Sequence, residues 1–574
     1  MRKSLVLLVL AVFILALTGC ATAVKEKVII QEVIVEKPVE VIKYVDRAVP
    51  TPALNVRDSI NSGGDIRIEG NVNHSETVIS SSSFVGVSSG ISSSYTSTTI
   101  SGKTNMSNES YSEIKESGFI DAKTSPLSTF SIDVDTASYS NVRRMIMTQG
   151  KLPPKDSVRI EEMVNYFFYD YKKPEKKDGK FGFDFEMGDS WNKGNKILRI
   201  GIQGENLAEN KKPKSNLVFL IDVSGSMDYG NKLPLLKESF KKLVNNLTSE
   251  DRVSIVVYAG RAGVVLEPTS GKDKEKILKA LDSLSTGGST AGGEGIRRAY
   301  DLASENLIKG GNNRVILATD GDFNVGVTSG AELEDLIASY KKKNIYLTIL
   351  GFGMGNYKDS TMERLSNKGN GNYFYIDNLK EADKVFNQGL MGTLYTIAKD
   401  VKIQIEFNPA TVKEYRLIGY ENRKLNNEDF KNDKKDAGDV GSGHQITVLY
   451  ELVPAGRAAE TDVDKLKYQD AKIKGSKDIA TFKLRYKEPD GDKIKELKEV
   501  LGQEIYKKNN TKNFNFALSV AEFGMLLRDS EYKGSLTYSD VVKLAKSNLE
   551  ADKYGYQEEF INMVEKTMEI EERN

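Results

Sequence analysis

Residues 217–227 read LVFLIDVSGSM, a run of five apolar residues followed by Asp222, Ser224 and Ser226. Such a run, bounded by a loop that contains glycine, is typical of a buried parallel strand. The loop then presents one carboxylate and two hydroxyls, and hard cations such as Mg²⁺ prefer oxygen ligands of this kind. Taken alone, the pattern has a second interpretation, because Ser and Asp also cap helices and a helical pattern starts near Leu233.

Two later segments favour the cation site. Residues 287–290 read GGST and precede a helical pattern from Glu294 to Leu307. Residues 315–322 read VILATDGD, a second apolar run that ends in acidic residues. In a doubly wound sheet both segments arrive beyond the carboxyl ends of the strands, where ligands bind. The sequence therefore predicts that three separate loops meet at one edge of a parallel sheet.

The metal-ion-dependent adhesion site of von Willebrand factor type A (VWA) domains has five positions, and this sequence is similar to it at Asp222, Ser224, Ser226, Thr290 and Asp320. The resemblance implies an α/β, doubly wound, Rossmann-like domain with an intact site for Mg²⁺, or for Mn²⁺ or Ca²⁺ in its place. It also implies that the hydroxyls ligate the ion directly or through water, while the two carboxylates act mostly as indirect or exchangeable ligands. One coordination position would stay open for an Asp or Glu of a protein partner.

The composition excludes several other classes of site. Lys and Arg together number 81, as do Asp and Glu, so no overall charge favours nucleic acid as a partner. Two His and one Cys among 574 residues argue against a zinc site, a Cys-His catalytic pair and internal disulfides. A chain of this length is too long for one hydrophobic core, and roughly two to four domains are expected.

The N-terminus has the features of a secretory signal. A basic start at residues 1–3 is followed by an apolar run from Leu5 to Leu17, which is shorter than a bilayer-spanning helix needs. Residues 17–20 read LTGC and resemble the bacterial lipobox, which implies a signal peptide at residues 1–19 and lipidation of Cys20. Several acyl chains on one Cys would anchor the protein stably in a membrane. An ordinary signal peptide with an incidental Cys is the alternative.

Low-complexity sequence separates this anchor from the folded part. Residues 20–58 alternate Val and Ile with charged residues and predict an extended tether. Residues 59–124 are rich in Ser and Thr and contain few large apolar side chains, so we expect a disordered spacer. The expected location is the cell membrane or the outer membrane, with the chain facing the periplasm or the outside.

The rest of the chain is predicted to contain a VWA domain at residues 213–399 between two flanking regions. Residues 125–212 show helical patterns and then two alternating strands, and residues 400–574 show strands followed by helices from Lys493 onward. Strands on both sides suggest one β-sandwich into which the VWA domain is inserted. A helix is expected after Asp377, ending near Ala398. From Ser125 onward the chain resembles a family of bacterial VWA lipoproteins of undetermined biochemical role.

The sequence favours a binding protein over an enzyme. A cation that accepts an acidic residue of a protein partner suits adhesion or protein–protein interaction, and a scaffold or assembly factor of the envelope with one fixed partner is an equally open interpretation. Mg²⁺-dependent hydrolysis is the less favoured alternative, because it needs a general base and an enclosed pocket as well as the ion. Asp228 and Asp322 are candidates for that base by proximity alone.

Overall fold

The structure, a computed structural model, describes residues 109–132, 135–175, 179–208, 212–259, 261–287, 292–321, 330–355, 357–389, 392, 394–457, 475–489, 491 and 493–573. In chain order the strands are β1 (Ile120–Asp121), β2 (Leu127–Ser131), β3 (Phe181–Asp189), β4 (Lys196–Gly204), β5 (Ser215–Asp222), β6 (Arg252–Ala259), β7 (Arg261–Ser270), β8 (Asn312–Thr319), β9 (Ile345–Phe352), β10 (Tyr373–Ile376), β11 (Thr396–Phe407), β12 (Val412–Ile418), β13 (Gly438–Gly441), β14 (Gln445–Pro454), β15 (Ala480–Lys487) and β16 (Ile494–Leu501). The α-helices are α1 (Ala137–Arg143), α2 (Ile160–Val164), α3 (Leu233–Asn245), α4 (Lys274–Asp282), α5 (Gly292–Glu305), α6 (Gly330–Lys341), α7 (Asp359–Lys368), α8 (Leu379–Lys384), α9 (Lys512–Arg528), α10 (Tyr538–Ser547) and α11 (Tyr556–Glu571).

The apolar runs of the VWA region form a six-stranded sheet in the order β10-β9-β8-β5-β6-β7, called the central sheet below. Its strands pair in parallel except for β7, which runs antiparallel to β6 at one edge. Strands β5 and β8 are buried along their whole length and lie side by side, with Ile221 opposite Ala318. Asp222 and Asp320, which follow these residues, therefore leave the sheet at the same edge.

Helices cover both faces of the central sheet, as a parallel sheet requires. Helices α3 and α4 pack on one face, where Phe219 of β5 stacks on Phe240 with ring centroids 4.3 Å apart. Helices α5, α6 and α7 pack on the other face. The predicted doubly wound α/β fold is thus confirmed.

A β-sandwich of two antiparallel sheets flanks the central sheet. One sheet has the order β1-β12-β14-β4-β3, and in the other β11 pairs with β2, β13 and β15, with β16 beyond β15. Because β1–β4 precede the central sheet in the chain and β11–β16 follow it, the VWA domain is inserted into the sandwich, as predicted. Apolar side chains of both sheets, such as Ile200, Ile403 and Phe482, form one buried core.

The helices outside the VWA domain come from both ends of the described chain and form a third layer, called the helical layer. It contains α1, α2, α9, α10 and α11, and it packs on the sandwich through Ile197, Ile418 and Leu449. Its centre is aromatic: Phe167 contacts Phe516 edge-on with centroids 5.0 Å apart. Helix–helix packing therefore ties the N-terminal flank to the C-terminal one.

Two predicted elements were wrong in type or length. Residues 494–501 form strand β16 and not a helix; the apolar spacing of Ile494, Leu497 and Leu501 fits a helix, but pairing with β15 along the whole strand overrides it. The helix expected to reach Ala398 ends a few residues earlier: α8 is followed by a π-helical turn at Val385–Gly389, and Gly392 and Leu394 are still helical. β11 then begins at Thr396, because the sandwich strands β13 and β15 pair with its first residues.

The folded region also begins earlier than residue 125. Residues 109–124 fall within the predicted spacer, yet Glu109 forms an ion pair with Arg144 at 2.9 Å and Ile120–Asp121 pairs with β12. The predicted signal peptide, Cys20, the tether and spacer residues 59–108 lie outside the described residues. Within the described ranges, no helix combines the length and apolarity needed to cross a membrane.

Candidate metal site at the edge of the central sheet

Asp222 is the last residue of β5, and its carboxylate is fully buried. Its Oδ1 accepts a hydrogen bond from the backbone N–H of Ser224 at 2.9 Å. Its Oδ2 accepts from the hydroxyls of Tyr258 at 3.2 Å and Thr319 at 3.1 Å. Burial raises the pKa of Asp222 to about 6, the nearby Asp320 carboxylate adds to this, and the bonds from Ser224 and Thr319 oppose it.

A single turn of 3-10 helix, Gly225–Met227, follows β5; Ser224 directly precedes this turn and Ser226 lies within it. Their hydroxyl oxygens are 3.0 Å apart. Ser224 is buried, whereas Ser226 is exposed. The turn therefore places one hydroxyl on the protein side of the site and one at its mouth.

Asp320 follows β8 and is buried beside this turn. Its Oδ2 accepts an ion-paired hydrogen bond from the ammonium group of Lys232 at 2.8 Å, and the same ammonium donates to the backbone carbonyl of Ser226 at 3.0 Å. Lys232 itself is only 6% exposed. The oxygens of two loops thus already hold one positive charge between them.

The glycine-rich loop after β9 makes room for that lysine. Gly353 has a φ of +77°, and a Cβ at this position would collide with the side-chain carbons of Lys232. Only glycine satisfies both the backbone conformation and the close approach without strain. Glu109 accepts from the backbone N–H of Gly355 in the same loop at 2.8 Å, so the N-terminal segment also reaches this edge.

Thr290, the remaining predicted position, lies outside the described residues. The segment before it is tied to the site, because the N–H of Gly287 donates to the carbonyl of Val223 at 2.8 Å. Asp228, one of the two candidate bases, is exposed and accepts from the hydroxyl of Thr286 at 2.8 Å. Asp322, the other, also lies outside the described residues.

The described donors fit a hard divalent cation. Two carboxylates and two hydroxyls converge on one edge, and an ammonium group already binds to part of this set. The described residues contain no cluster of three or more His, Cys, Asp or Glu that could hold a metal, so any ion here relies on hydroxyls. Lys232 was not among the predicted site residues; its only signal in the sequence is a basic residue directly before an amphipathic helix.

A second buried charge cluster lies at the same edge of the central sheet, after β10. The guanidinium of Arg143, from α1, donates to Asp377 at 2.9 and 2.5 Å, to Glu381 of α8 at 2.8 Å and to Glu559 of α11 at 2.9 Å. Burial alone would lower the pKa of Arg143, but Asp377, Tyr166 and Glu381 raise it well above its ordinary value. The cluster joins the last helix of the VWA domain to the helical layer.

Comparison with known proteins decides the family. Residues 216–388 match the family model of the von Willebrand factor type A domain, residues 392–570 match one described as the C-terminal part of the uncharacterized protein YfbK, and residues 105–199 match one described as von Willebrand factor. The uncharacterized protein YfbK of Escherichia coli (strain K12) is 43% identical over 451 residues, which are 77% of this chain and 78% of that protein. The chain belongs to the VWA-domain family that includes YfbK.

More distant relatives share a smaller part of their sequence with this chain. The human inter-alpha-trypsin inhibitor heavy chain H4 is 30% identical over 147 residues, which are 24% of this chain and 16% of that protein. Among solved structures, a von Willebrand factor type A protein from Catenulispora acidiphila is 16% identical, with a TM-score of 0.38 over 62% of this chain and 80% of that one. The VWA assignment indicates protein–protein interaction or adhesion, and VWA domains commonly bind a divalent metal at this site.

Proposed function

We propose that this protein is a lipid-anchored binding protein of the bacterial envelope, and that a divalent cation at the edge of its central sheet binds an acidic residue of a protein partner. Asp222, Ser224, Ser226 and Asp320, together with Thr290, would hold the ion. When bound, Mg²⁺ would supply the positive charge and an open coordination position for the partner's carboxylate.

The observation that carries this proposal is the ammonium group of Lys232 between Asp320 and the carbonyl of Ser226. A buried carboxylate pair such as Asp222 and Asp320 is costly unless a cation accompanies it. Lys232 meets that need by binding one carboxylate and one backbone carbonyl. The hydroxyls of Ser224 and Ser226 do not bind the ammonium group and are hydrogen-bonded to each other. The oxygen atoms at this edge therefore favour a cation, and they include carboxylates and hydroxyls that can ligate a divalent ion.

The proposed location follows from the sequence. Lipidation of Cys20 would anchor the chain, and residues 21–108 would carry the folded part away from the membrane surface. The cell membrane and the outer membrane are both compatible with this arrangement.

Calorimetry on the full chain in detergent micelles tests metal binding directly. We expect Mg²⁺ or Mn²⁺ to bind to the wild type and to bind much more weakly to Asp222→Ala and to Ser226→Ala. The second variant removes only an exposed hydroxyl and should fold normally. Asp228→Asn is the matched control, because it removes a neighbouring exposed carboxylate that is not among the proposed ligands. Absence of heat with both ions would overturn the proposed site.

Partner capture tests the second half of the proposal. Envelope extracts are passed over the immobilised protein in Mg²⁺ or in EDTA, and we expect a partner that is retained only with Mg²⁺ and lost with Ser226→Ala. Retention in EDTA would instead indicate metal-independent binding. A partner of constant identity and fixed ratio would support the scaffold interpretation over adhesion to varied targets.

A further inference from the structure

A pocket of about 430 Å³ opens beside the helical layer, and none of its lining residues belongs to the candidate metal site. Trp191 on the β3–β4 turn, Leu536 and Leu544 form its apolar walls. Glu522 of α9 forms its floor, and Asp540 and Lys543 of α10 line its exposed rim. Its volume lies in the range of small-molecule sites, about 300–1,000 Å³.

Glu522 is the unusual member of this set. Its side chain belongs to a residue that is 4% exposed, and its carboxyl group forms no hydrogen bond or ion pair with any residue that the structure describes. Desolvation by burial, together with the negative charge of Asp540, raises its pKa to about 8. A buried carboxyl group without a partner is costly, and other buried acids of this fold, such as Glu186 and Glu451, accept several hydrogen bonds. Glu522 therefore has an unmet capacity to bind a positive donor.

Trp191 adds a second feature that favours a cation. Its indole N–H already donates to the backbone carbonyl of Tyr532 at 2.9 Å, and Asn192 donates to the same carbonyl at 3.2 Å. The ring is thereby fixed in place, and it can offer a ligand only its π surface. Aromatic π surfaces attract ammonium groups, and Trp does so most strongly.

The charges at the rim agree with this chemistry. Asp540 is held by the cap of α10, where its Oδ2 accepts from the backbone N–H and the hydroxyl of Thr537. These bonds hold the Asp540 side chain at the mouth of the pocket. Lys543 is exposed on a long side chain and can turn into solvent. Two carboxylates disfavour an anionic ligand, and a purely apolar ligand would leave Glu522 without a partner.

We propose that this pocket binds a small organic ammonium ion, with the ammonium group on the Glu522 carboxylate and the alkyl part between Trp191, Leu536 and Leu544. The site is separate from the candidate metal site and requires no metal. A free diamine and a lysyl side chain of a peptide share this chemistry.

The chain contains a single Trp, so the fluorescence of Trp191 reports on the pocket without interference. The full chain is titrated with n-pentylammonium, with 1-pentanol and with pentanoate at pH 9, where the carboxyl group of Glu522 is ionised and the alkylammonium keeps its proton. We expect a saturable change in emission with the amine, about tenfold weaker binding of the alcohol because it lacks the charge-assisted bond, and no response to the carboxylate. Equal responses to amine and alcohol, or no response to the amine, would overturn the proposal.

Variants then test the role of the floor residue. Glu522→Gln keeps the size of the side chain and should bind n-pentylammonium about tenfold more weakly than the wild type, with little change for 1-pentanol. Glu275→Gln, an exposed acid on α4, is the matched control and should bind like the wild type. Unchanged amine binding by Glu522→Gln would contradict the assignment. The titrations of the wild type with the three probes test the proposal even if this variant folds poorly.

The source of the ligand is tested with two further probes. Cadaverine represents a free diamine, and Nα-acetyl-lysine amide represents a lysyl side chain within a peptide. The tighter binder identifies the source, and failure of both amines to displace n-pentylammonium would overturn the proposal.

Discussion

Lys232 and Arg143 are buried cations at the carboxyl edge of the central sheet, and they differ in how many groups hold them. The ammonium of Lys232 binds one carboxylate, Asp320, and one backbone carbonyl. The guanidinium of Arg143 binds Asp377 through two nitrogens and also binds Glu381. A lysine ammonium is a point charge on a flexible stem, whereas a guanidinium is a rigid fork that matches carboxylates.

The positive charges of Lys232 and Arg143 therefore have different roles. The lysine lies beside the exposed hydroxyl of Ser226, at the site where we propose that a divalent cation binds. The arginine joins three elements, α1, α8 and α11, through ion pairs that stabilise the fold. Substitutions at the two places should therefore have different effects on stability and on metal binding.

The largest effect is expected for Arg143→Met. The variant leaves Asp377 and Glu381 buried without their cation, and removing one partner of a buried ion pair costs about 3–5 kcal/mol of unfolding free energy. Urea denaturation measures the loss. Arg298→Met is the control, because Arg298 makes only a partly exposed pair with Glu305 at 3.6 Å and should change stability by less than about 1 kcal/mol. Equal losses of unfolding free energy in both variants would contradict the claim that the ion pairs of Arg143 stabilise the fold.

Lys384, next to the ion pairs of Arg143, gives a pH test. Burial lowers its pKa to about 7, Arg143 adds to this and Glu381 opposes it, and its ammonium lies 2.9 Å from the centroid of the Tyr166 ring. Because the unfolded chain keeps this proton up to its ordinary pKa, the unfolded state binds more protons between pH 7 and about pH 10. The contribution of Lys384 to unfolding free energy should therefore rise with pH above 7, by at most about 1.4 kcal/mol per unit.

Denaturation of the wild type and of Lys384→Met at pH 7, 8 and 9 measures that slope as a difference. Lys242→Met, a partly exposed lysine of α3, is the control and should parallel the wild type. A difference that falls as pH rises would show that Lys384 is charged within the fold.

For Lys232 we expect substitution to strengthen metal binding. Lys232→Met removes the resident cation from Asp320, so the site becomes more negative and a divalent ion no longer competes with the ammonium. Calorimetry should give Mg²⁺ binding about tenfold tighter than in the wild type, which is about 1.4 kcal/mol. Lys241→Met, on helix α3 but outside the site, should leave metal binding unchanged. Weaker metal binding in Lys232→Met would mean that the lysine supports the ion and does not compete with it.

The smallest effect is expected for Tyr258→Phe. The variant removes one of the hydroxyl donors to Asp222 and leaves the bond from Thr319, which costs about 1 kcal/mol in unfolding free energy. Thermal or urea denaturation measures the difference against Tyr229→Phe, which removes a hydroxyl from an exposed ring. A loss of the same size in both variants would indicate that the hydroxyl of Tyr258 does not stabilise Asp222.

The sequence was sufficient for the parts of the fold that depend on local pattern. The buried runs at β5 and β8 are apolar throughout their centres, so their place in a parallel sheet and the meeting of Asp222 and Asp320 at one edge could be predicted. The insertion into a sandwich followed from alternating strands on both sides. The helical pattern predicted from Lys493 onward fails at residues 494–501, because these residues form a hairpin with β15, and β15 is itself paired with β11.

The cations could not be predicted, because their burial depends on partners far along the chain. Arg143 meets Asp377 and Glu559, and no local pattern distinguishes it from an exposed arginine of an amphipathic helix. Lys232 and Asp320 are likewise brought together only by the adjacency of β5 and β8. A sequence can show which residues carry oxygen atoms that bind cations, whereas tertiary packing decides which basic side chain binds to them.

The VWA domain is inserted between β4 and β11, and these strands belong to different sheets of the sandwich. Each strand pairs with neighbours on both sides: β4 with β3 and β14, and β11 with β2, β13 and β15. A mechanical pull on a partner held at the far edge of the domain would consequently be divided between two hydrogen-bonded sheets. The insertion gives the domain two anchored ends, where a domain at the end of a chain would have one.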